Sequence, residues 1–297
     1  VVELDFSDFN ITIVGLGLIG GSLAMSIKKK LNPKNLWGID VNTNVLDHAE
    51  STNIIDRGFL SAREPLQKSD IVFICIYPRE TVEFVKEHMD NFKHGAIIID
   101  AAGIKVPLLS AIAPVLRDDI DYISCHPMAG RESKGLEFAG DNIFEGADYI
   151  ITPTEKNKPE NIELIKEIAK TLGFGNVVCI NPCLHDDMIA FVSHLPHIIA
   201  ASIVLDPIMA EETLYTGGSF RDMTRVARIN PDLWAQLLLD NSEYVLKHLK
   251  IFKDNVGNFE EAINKNDYSR LKFLLTKACE RKESFDLGAD TRNKSER

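Results

Sequence analysis

This 297-residue sequence reads as lacking paired cysteines, basic tracts, low-complexity linkers and internal repeats, and no apolar run long enough to span a bilayer is expected from it. The five cysteines, Cys75, Cys125, Cys179, Cys183 and Cys279, are odd in number and form no CxxC pair. That excludes a disulfide framework and argues for reduced thiols, mostly in the core. Cys179 and Cys183 stand four apart with no second pair, so no zinc site is expected and no metal is assigned. Lysine and arginine number 33 against 44 acids, a net charge of −11, and no basic stretch is extended enough to follow a nucleic acid. A small anionic ligand would therefore need its own local cations. With neither a membrane-length segment nor a leader pattern, a cytoplasmic protein without membrane partners is expected.

What is present begins with a β-rich run, Ile11 to Val14, entering Gly15-Leu16-Gly17-Leu18-Ile19-Gly20 and then a helical pattern from Leu23 to Lys30. This is GxGxxG between a strand and a helix. The first glycine permits the tight turn, the second lets a pyrophosphate approach the backbone, and the third lets helix and strand pack closely, with the diphosphate on the helix N-terminus. A second strand, Leu36 to Ile39, ends at Asp40, 20 positions after Gly20, the offset of an acid that binds the adenosine ribose. Its carboxylate would accept from a 2′-hydroxyl and repel a 2′-phosphate, and Val41 and Asn42 supply no arginine to reverse that. NAD is favoured over NADP.

The alternation continues. A helix is expected around Val45 to Ser51, a strand buried on both faces over Asp70 to Ile76, a helix from Thr81 to Met89, a strand over Ala96 to Ile99 and a helix from Val106 to about Leu116. Asp100 to Lys105 forms a ligand-side loop. Tyr122-Ile123 then leads into Ser124-Cys125-His126-Pro127-Met128-Ala129-Gly130-Arg131-Glu132, where Pro127 holds His126 extended at a strand's carboxyl end, the edge at which open α/β sheets bind ligands. Taken alone, this stretch suits a satisfied loop histidine equally well. Ala147 to Thr152 and Gly175 to Ile180 read as further strands around a helix from Glu160 to Leu172.

From about Leu184 only helices are expected. Leu184 to Leu205 is long and apolar, opens with Asp186-Asp187, and carries Ser193-His194-Leu195-Pro196-His197, where Pro196 should kink the helix. His194 and His197 can share a face, as packed helix residues or as part of a site. Thr216-Gly217-Gly218-Ser219-Phe220 would let the backbone approach something closely. Arg221, Arg225 and Arg228 recur at helical spacing, as a carboxylate site or as a solvated face. Pro231 should open a helix through about Phe252, with Trp234 near its start; further helices follow over Phe259 to Lys265 and Asp267 to Phe285, with a polar, frayed end. The expected plan is an α/β Rossmann-type N-terminal domain, residues 1–182, and an all-helical domain, residues 183–297.

Four ordered motifs, the glycine loop through Ser22, His126 to Gly130, Ser193 to His197 and Phe220 to Arg225, make the chain resemble the prephenate dehydrogenase family of tyrosine biosynthesis. The resemblance implies a helical dimerisation domain and hence a homodimer, and NAD-dependent oxidation of prephenate to 4-hydroxyphenylpyruvate. It implies that His126 is the catalytic histidine on the substrate's C4 hydroxyl, that Arg225 binds the ring carboxylate, and that His197 lines the substrate pocket, with His194, Gly218 and Trp234 as further substrate-binding residues. Trp234 would border the partner's pocket. Relatives carry a serine where this chain has Gly103. Glu132 is expected to pair with an arginine of the cluster when substrate is absent. No mutase-like segment is expected before residue 11 and no appended regulatory domain after residue 285. Arogenate oxidation is the nearest alternative. A β-hydroxyacid dehydrogenase would need a catalytic lysine in the helical domain, and a non-catalytic NAD sensor would need the glycine loop and Asp40 alone.

Overall fold

The computed structural model describes residues 5–130, 133–207 and 217–295. Among these, eight strands form one sheet: β1 Asn10–Val14, β2 Asn35–Ile39, β3 Arg57–Phe59, β4 Ile71–Ile74, β5 Ile97–Asp100, β6 Asp121–Pro127, β7 Asp148–Thr152 and β8 Asn176–Cys179. The connecting helices are α1 Leu18–Lys30, α2 Thr43–Ser51, α3 Arg63–Leu66, α4 Pro78–His88, α5 Val106–Ile112 and α6 Pro159–Leu172. After them come α7 Pro182–Ile189, α8 Leu195–Val204, α9 Gly218–Thr224, α10 Pro231–Asp240, α11 Ser242–Asn264 and α12 Tyr268–Ser295.

The sheet order is β3-β2-β1-β4-β5-β6-β7-β8. The first six strands are parallel, and the chain reverses its winding between β1 and β4, which opens a crevice at their carboxyl ends. All four residues of β4 are buried, as a strand covered on both faces must be. One apolar layer packs Ile13, Leu23, Ile27, Phe73 and Ile165 beneath α1 and α6. The opposite layer packs Val72, Ile74, Val85, Ile98, Leu108 and Tyr122 beneath α4 and α5. At about 1.5–3 kcal/mol for each large apolar side chain removed from water, these two layers anchor the frame.

Two features differ from the parallel alternation expected. β3 and α3 carry no clear period; Arg57 lies 4.6 Å over the Phe59 ring, and the short strand forms only by adding to the edge of β2. β7 is antiparallel to β6, because the described residues between 128 and 147 contain only a 3-10 turn, Leu136–Phe138, and no crossover helix. α6 supplies a crossover again, so β8 runs parallel to β7.

The long apolar helix expected over 184–205 is three pieces: α7, a π-helical turn at Ala190–His194, and α8. Leu195 N–H bonds back to Ala190 O, five residues earlier. Pro196 cannot donate and its ring crowds the preceding turn, so the wider turn absorbs the misfit and delivers His194 inward. Pro182–Val204 spans 23 residues at a mean hydropathy of 1.5, so the expectation that no stretch reaches membrane length and apolarity is corrected. Its His185, Asp186 and His194 are nevertheless buried against protein partners. The expectation of mostly buried cysteines is also overturned: Cys179, Cys183 and Cys279 are exposed, and Cys125 alone is fully buried.

The helix expected from Pro231 to Phe252 breaks at Asn241, which leaves helical geometry and turns its buried side chain towards α7. α11 then runs unbroken through Gly257, since one glycine costs about 1 kcal/mol in a helix, too little to end a long one. α12 continues past Phe285 to Ser295. Packing groups residues through Val245 into one compact unit and Leu246 onward into a second.

Candidate active site

Gly15 has φ +84°, and a Cβ there would lie 2.6 Å from Ile76 Cγ2 and 2.8 Å from Cys75 O. A Cβ at Gly20 would lie 1.8 Å from Gly15 O, so strand and helix meet at backbone distance. Gly17 has nothing within 4 Å of its Cβ position, which leaves room for a phosphate group. It precedes Leu18 and Ile19 at the start of α1, and no side chain caps that helix. Asp40 is held at the end of β2 by Leu16 N–H (2.8 Å to Oδ2) and Asn42 N–H (2.9 Å to Oδ1). Each carboxylate oxygen keeps a further lone pair for a ribose hydroxyl. The residues Gly15, Leu16, Gly17, Leu18, Ile19, Gly20 and Asp40 thus make a cradle that fits a dinucleotide.

His126 lies on β6 opposite Ile150, at the same carboxyl edge. Its Nδ1 is 2.9 Å from His185 Nε2, and His185 Nδ1 is 2.7 Å from Asp186 Oδ1. Asp186 also accepts from Lys105 N–H at 2.9 Å and Val106 N–H at 2.8 Å, so a residue of α7 caps α5. Beneath this line Lys105 is completely buried; its Nζ donates to Asp100 Oδ1 at 2.7 Å and to the Cys125 carbonyl. Tyr122 Oη donates to Asp100 Oδ2 at 2.9 Å, and Ala102 N–H to Oδ1 at 2.9 Å, which satisfies the buried pair.

The second side of the site follows from Asn241. Its Nδ2 bonds Asp186 O at 2.9 Å and approaches His194 Nδ1 at 3.4 Å. His194 packs edge-on against Trp234, ring centres 5.8 Å apart, and His197 stacks on the same indole at 3.8 Å. His197 Nδ1 donates to Ser193 O at 2.8 Å. His126, His194, His197 and Trp234 therefore belong to one connected group, and Trp234 is bound into it by its own chain's histidines.

Burial, the neighbouring His185, Lys105 and His194 together pull His126 well below the ordinary histidine value of 6.5. Burial also lowers His185, with Asp186 opposing. Burial takes His194 down to about 4 despite Asp186. All three rings are neutral at neutral pH. Gly103 is adjacent: its Cβ position is 3.8 Å from His126 Nε2 and 3.5 Å from Leu237 Cδ2, so a small side chain would fit beside the ring without overlap. Among the described residues no protein group bonds His126 Nε2.

Arg221, Arg225 and Arg228 do not share one helix. α9 ends at Thr224, Arg225 opens a 3-10 turn, and Arg228 leaves helical geometry, because Pro231 forces the preceding Asn230 extended. All three are exposed, on a segment packed against α8. Gly217 and Gly218 open α9 with no atom within 4 Å of either Cβ position, so the close approach expected there is not made by this chain's described residues. Arg131, Glu132 and Thr216, and with Glu132 its expected pairing, lie outside the described residues. His185, Asp186, Asn241 and the Lys105–Asp100 pair were not anticipated as site residues. Only the adjacency His185-Asp186 hinted at them, and it reads equally as a helix start.

A family model described as "Prephenate dehydrogenase, nucleotide-binding domain" matches residues 23–178, just after the glycine loop, and one described as "Prephenate dehydrogenase, dimerization domain" matches residues 181–277. The chain belongs to the prephenate dehydrogenase family. As a family member it carries a Rossmann-type nucleotide-binding domain followed by a helical one. It is 29% identical to the prephenate dehydrogenase of Bacillus subtilis over 88% of this chain and 72% of that protein. It is also 29% identical to the cyclohexadienyl dehydrogenase of Zymomonas mobilis, over 87% and 89%. Among solved structures, prephenate dehydrogenase from A. aeolicus in complex with hydroxyphenyl propionate and NAD+ superposes with a TM-score of 0.83 at 29% identity, covering 95% of this chain and 99% of that one. Synechocystis arogenate dehydrogenase gives 0.77 at 25%, covering 93% and 99%.

Proposed function

We propose that this dehydrogenase of the prephenate family oxidises prephenate to 4-hydroxyphenylpyruvate with NAD. The observation that carries the reading is His126 itself: a ring kept neutral, with Nε2 unclaimed by any of the described residues, at the same sheet edge as the dinucleotide cradle. Bound NAD supplies the hydride acceptor. His126 takes the proton of the C4 hydroxyl as hydride leaves that carbon, loss of carbon dioxide from C1 moves the electron pair to the C4 oxygen and makes the ring aromatic, and the proton returns to that oxygen to give the phenol. Arg225 holds the ring carboxylate, since a planar guanidinium fixes both charge and orientation. His197 and Trp234 present a flat wall with His194 packed against the same indole, and Gly218 is assigned to the substrate side by the family resemblance. A relative's binding of NAD+ and hydroxyphenyl propionate, a product-like acid, supports both cofactor and substrate class. The domain boundary is taken near residue 182. The exposed apolar side chains Leu184, Met188, Phe191 and Val192 of the helical part suit a homodimer, and the setting is cytoplasmic.

Arogenate is the second reading, favoured by the likeness to an arogenate dehydrogenase. The buried histidine group, which a sensor of NAD has no use for, favours an enzyme. NADH formation should be followed with prephenate and with arogenate, each with NAD and NADP. Turnover of prephenate with NAD is the expected result; turnover of arogenate alone transfers the reading to that substrate, and no turnover of either removes it.

A further inference from the structure

We infer that His185 and Asp186 are positioning residues that hold His126 in one tautomer, proton on Nδ1, so that Nε2 is the free base. The inference rests on His126 being the base of the proposed reaction, but it concerns an arrangement present before any substrate binds.

The argument runs outward from Asp186. A carboxylate only accepts, and Asp186 is locked in place by Lys105 N–H, Val106 N–H and, through its own carbonyl, Asn241 Nδ2. His185 Nδ1, at 2.7 Å from Oδ1, must therefore be the protonated nitrogen of that ring. A neutral imidazole has one N–H, so His185 Nε2 is an acceptor. It lies 2.9 Å from His126 Nδ1, which must then donate. The single proton of neutral His126 is accounted for, and its Nε2 carries a lone pair. That nitrogen is the one on the Gly103 side.

The same line serves the charged state. When Nε2 receives the substrate proton, His126 becomes an imidazolium whose Nδ1–H already points at an acceptor. No group has to rotate, and the carboxylate behind His185 stabilises the charge through the intervening ring. The opposite tautomer would need His185 Nε2–H and an unprotonated Nδ1 facing a carboxylate, two acceptors in contact inside the protein. Each unmatched buried group has given up water without gaining a partner, and that penalty suppresses this tautomer.

Asp186→Asn tests this because the amide keeps only one of the two acceptor oxygens: with that oxygen on Val106 N–H, an NH2 takes the place of Oδ1, the atom that meets His185 Nδ1, and Lys105 N–H loses its acceptor. The line of donors then reverses and leaves Nε2 of His126 protonated. Ring-nitrogen NMR of the 15N-histidine-labelled resting protein, with His126 assigned by its loss in His126→Asn, should show Nδ1–H in the native chain and Nε2–H in Asp186→Asn. Turnover should fall about 100-fold or more in that variant while NAD affinity holds, the scale of lost general-base catalysis. His185→Gln, whose amide oxygen can still accept from Nδ1–H, should retain turnover within about 10-fold, whereas His185→Leu should lose about 100-fold. Should Asp186→Asn fail to fold for want of its cap on α5, the native spectrum and the His185 pair decide. A native His126 carrying its proton on Nε2, or equal losses in His185→Gln and His185→Leu, would overturn the inference. The spectra need no substrate, so a protein that makes no NADH yet shows Nδ1–H refutes the proposed reaction and leaves the tautomer assignment standing.

Discussion

The cradle at the end of β1 and the histidine group beside it sit at one sheet edge but are built in different ways. The cradle is nearly all backbone: two glycines that admit no Cβ, a helix start without a side-chain cap, and one carboxylate pinned by two N–H groups. The histidine group is nearly all side chain, drawn from β6, α7, the π turn, α10 and Asn241. A backbone cradle needs only a short contiguous motif. A side-chain group needs several elements to arrive together, and it can tune its charge by burial in a way a glycine loop cannot.

Substitutions should separate the two. His126→Asn removes the proposed base without touching the cradle, so turnover should drop about 100-fold or more with the NAD dissociation constant unchanged; a near-normal rate would take His126 out of that role. Arg225→Ala should raise the Michaelis constant for prephenate about 10- to 100-fold, the value of a charge-assisted contact, with kcat less affected. An effect confined to NAD would break the proposed division of labour. Asp40→Asn should act on the other side alone, weakening NAD about 10-fold and narrowing its advantage over NADP, measured as the ratio of kcat/KM for the two cofactors. Loss of prephenate affinity in that variant would show the two regions to be coupled.

The smallest effect expected is on pH. Because His126 lies well below 6.5 in the folded protein, the acidic limb of kcat/KM should fall below pH 6.5. For stability the sign follows from His194, near 4 when folded and about 6.5 when unfolded. Between those values the unfolded chain binds the extra proton, so stability is whole above about pH 6.5 and declines as pH falls towards 4. Thermal unfolding followed across that window should show the decline, and His194→Gln should make it shallower, leaving the share due to His126 and His185.

Several elements were legible because local chemistry decided them. β1, the glycine loop and α1 follow one another without any distant contact being needed, and β4 declares itself by unbroken burial. Asn241 illustrates the reverse. It sits in an uninterrupted helical pattern, yet its side chain is buried, bonds the Asp186 carbonyl and approaches His194, contacts with residues about 50 positions away that the pattern does not show. β3, β7's direction and the end of α9 likewise depended on neighbours that periodicity does not see.

By itself, the order of residues determined the nucleotide cradle, the preference for NAD at Asp40, and the four motifs that mark the family, since each is a matter of spacing along the chain. Only the tertiary structure decided which partner each histidine meets. His185 and Asp186 lie 59 and 60 residues from His126, and it is packing of α7 over β6 and α5 that makes them one line of donors and acceptors. A hydrogen bond requires its atoms within about 3 Å, and across such a separation the folded core alone can enforce that distance.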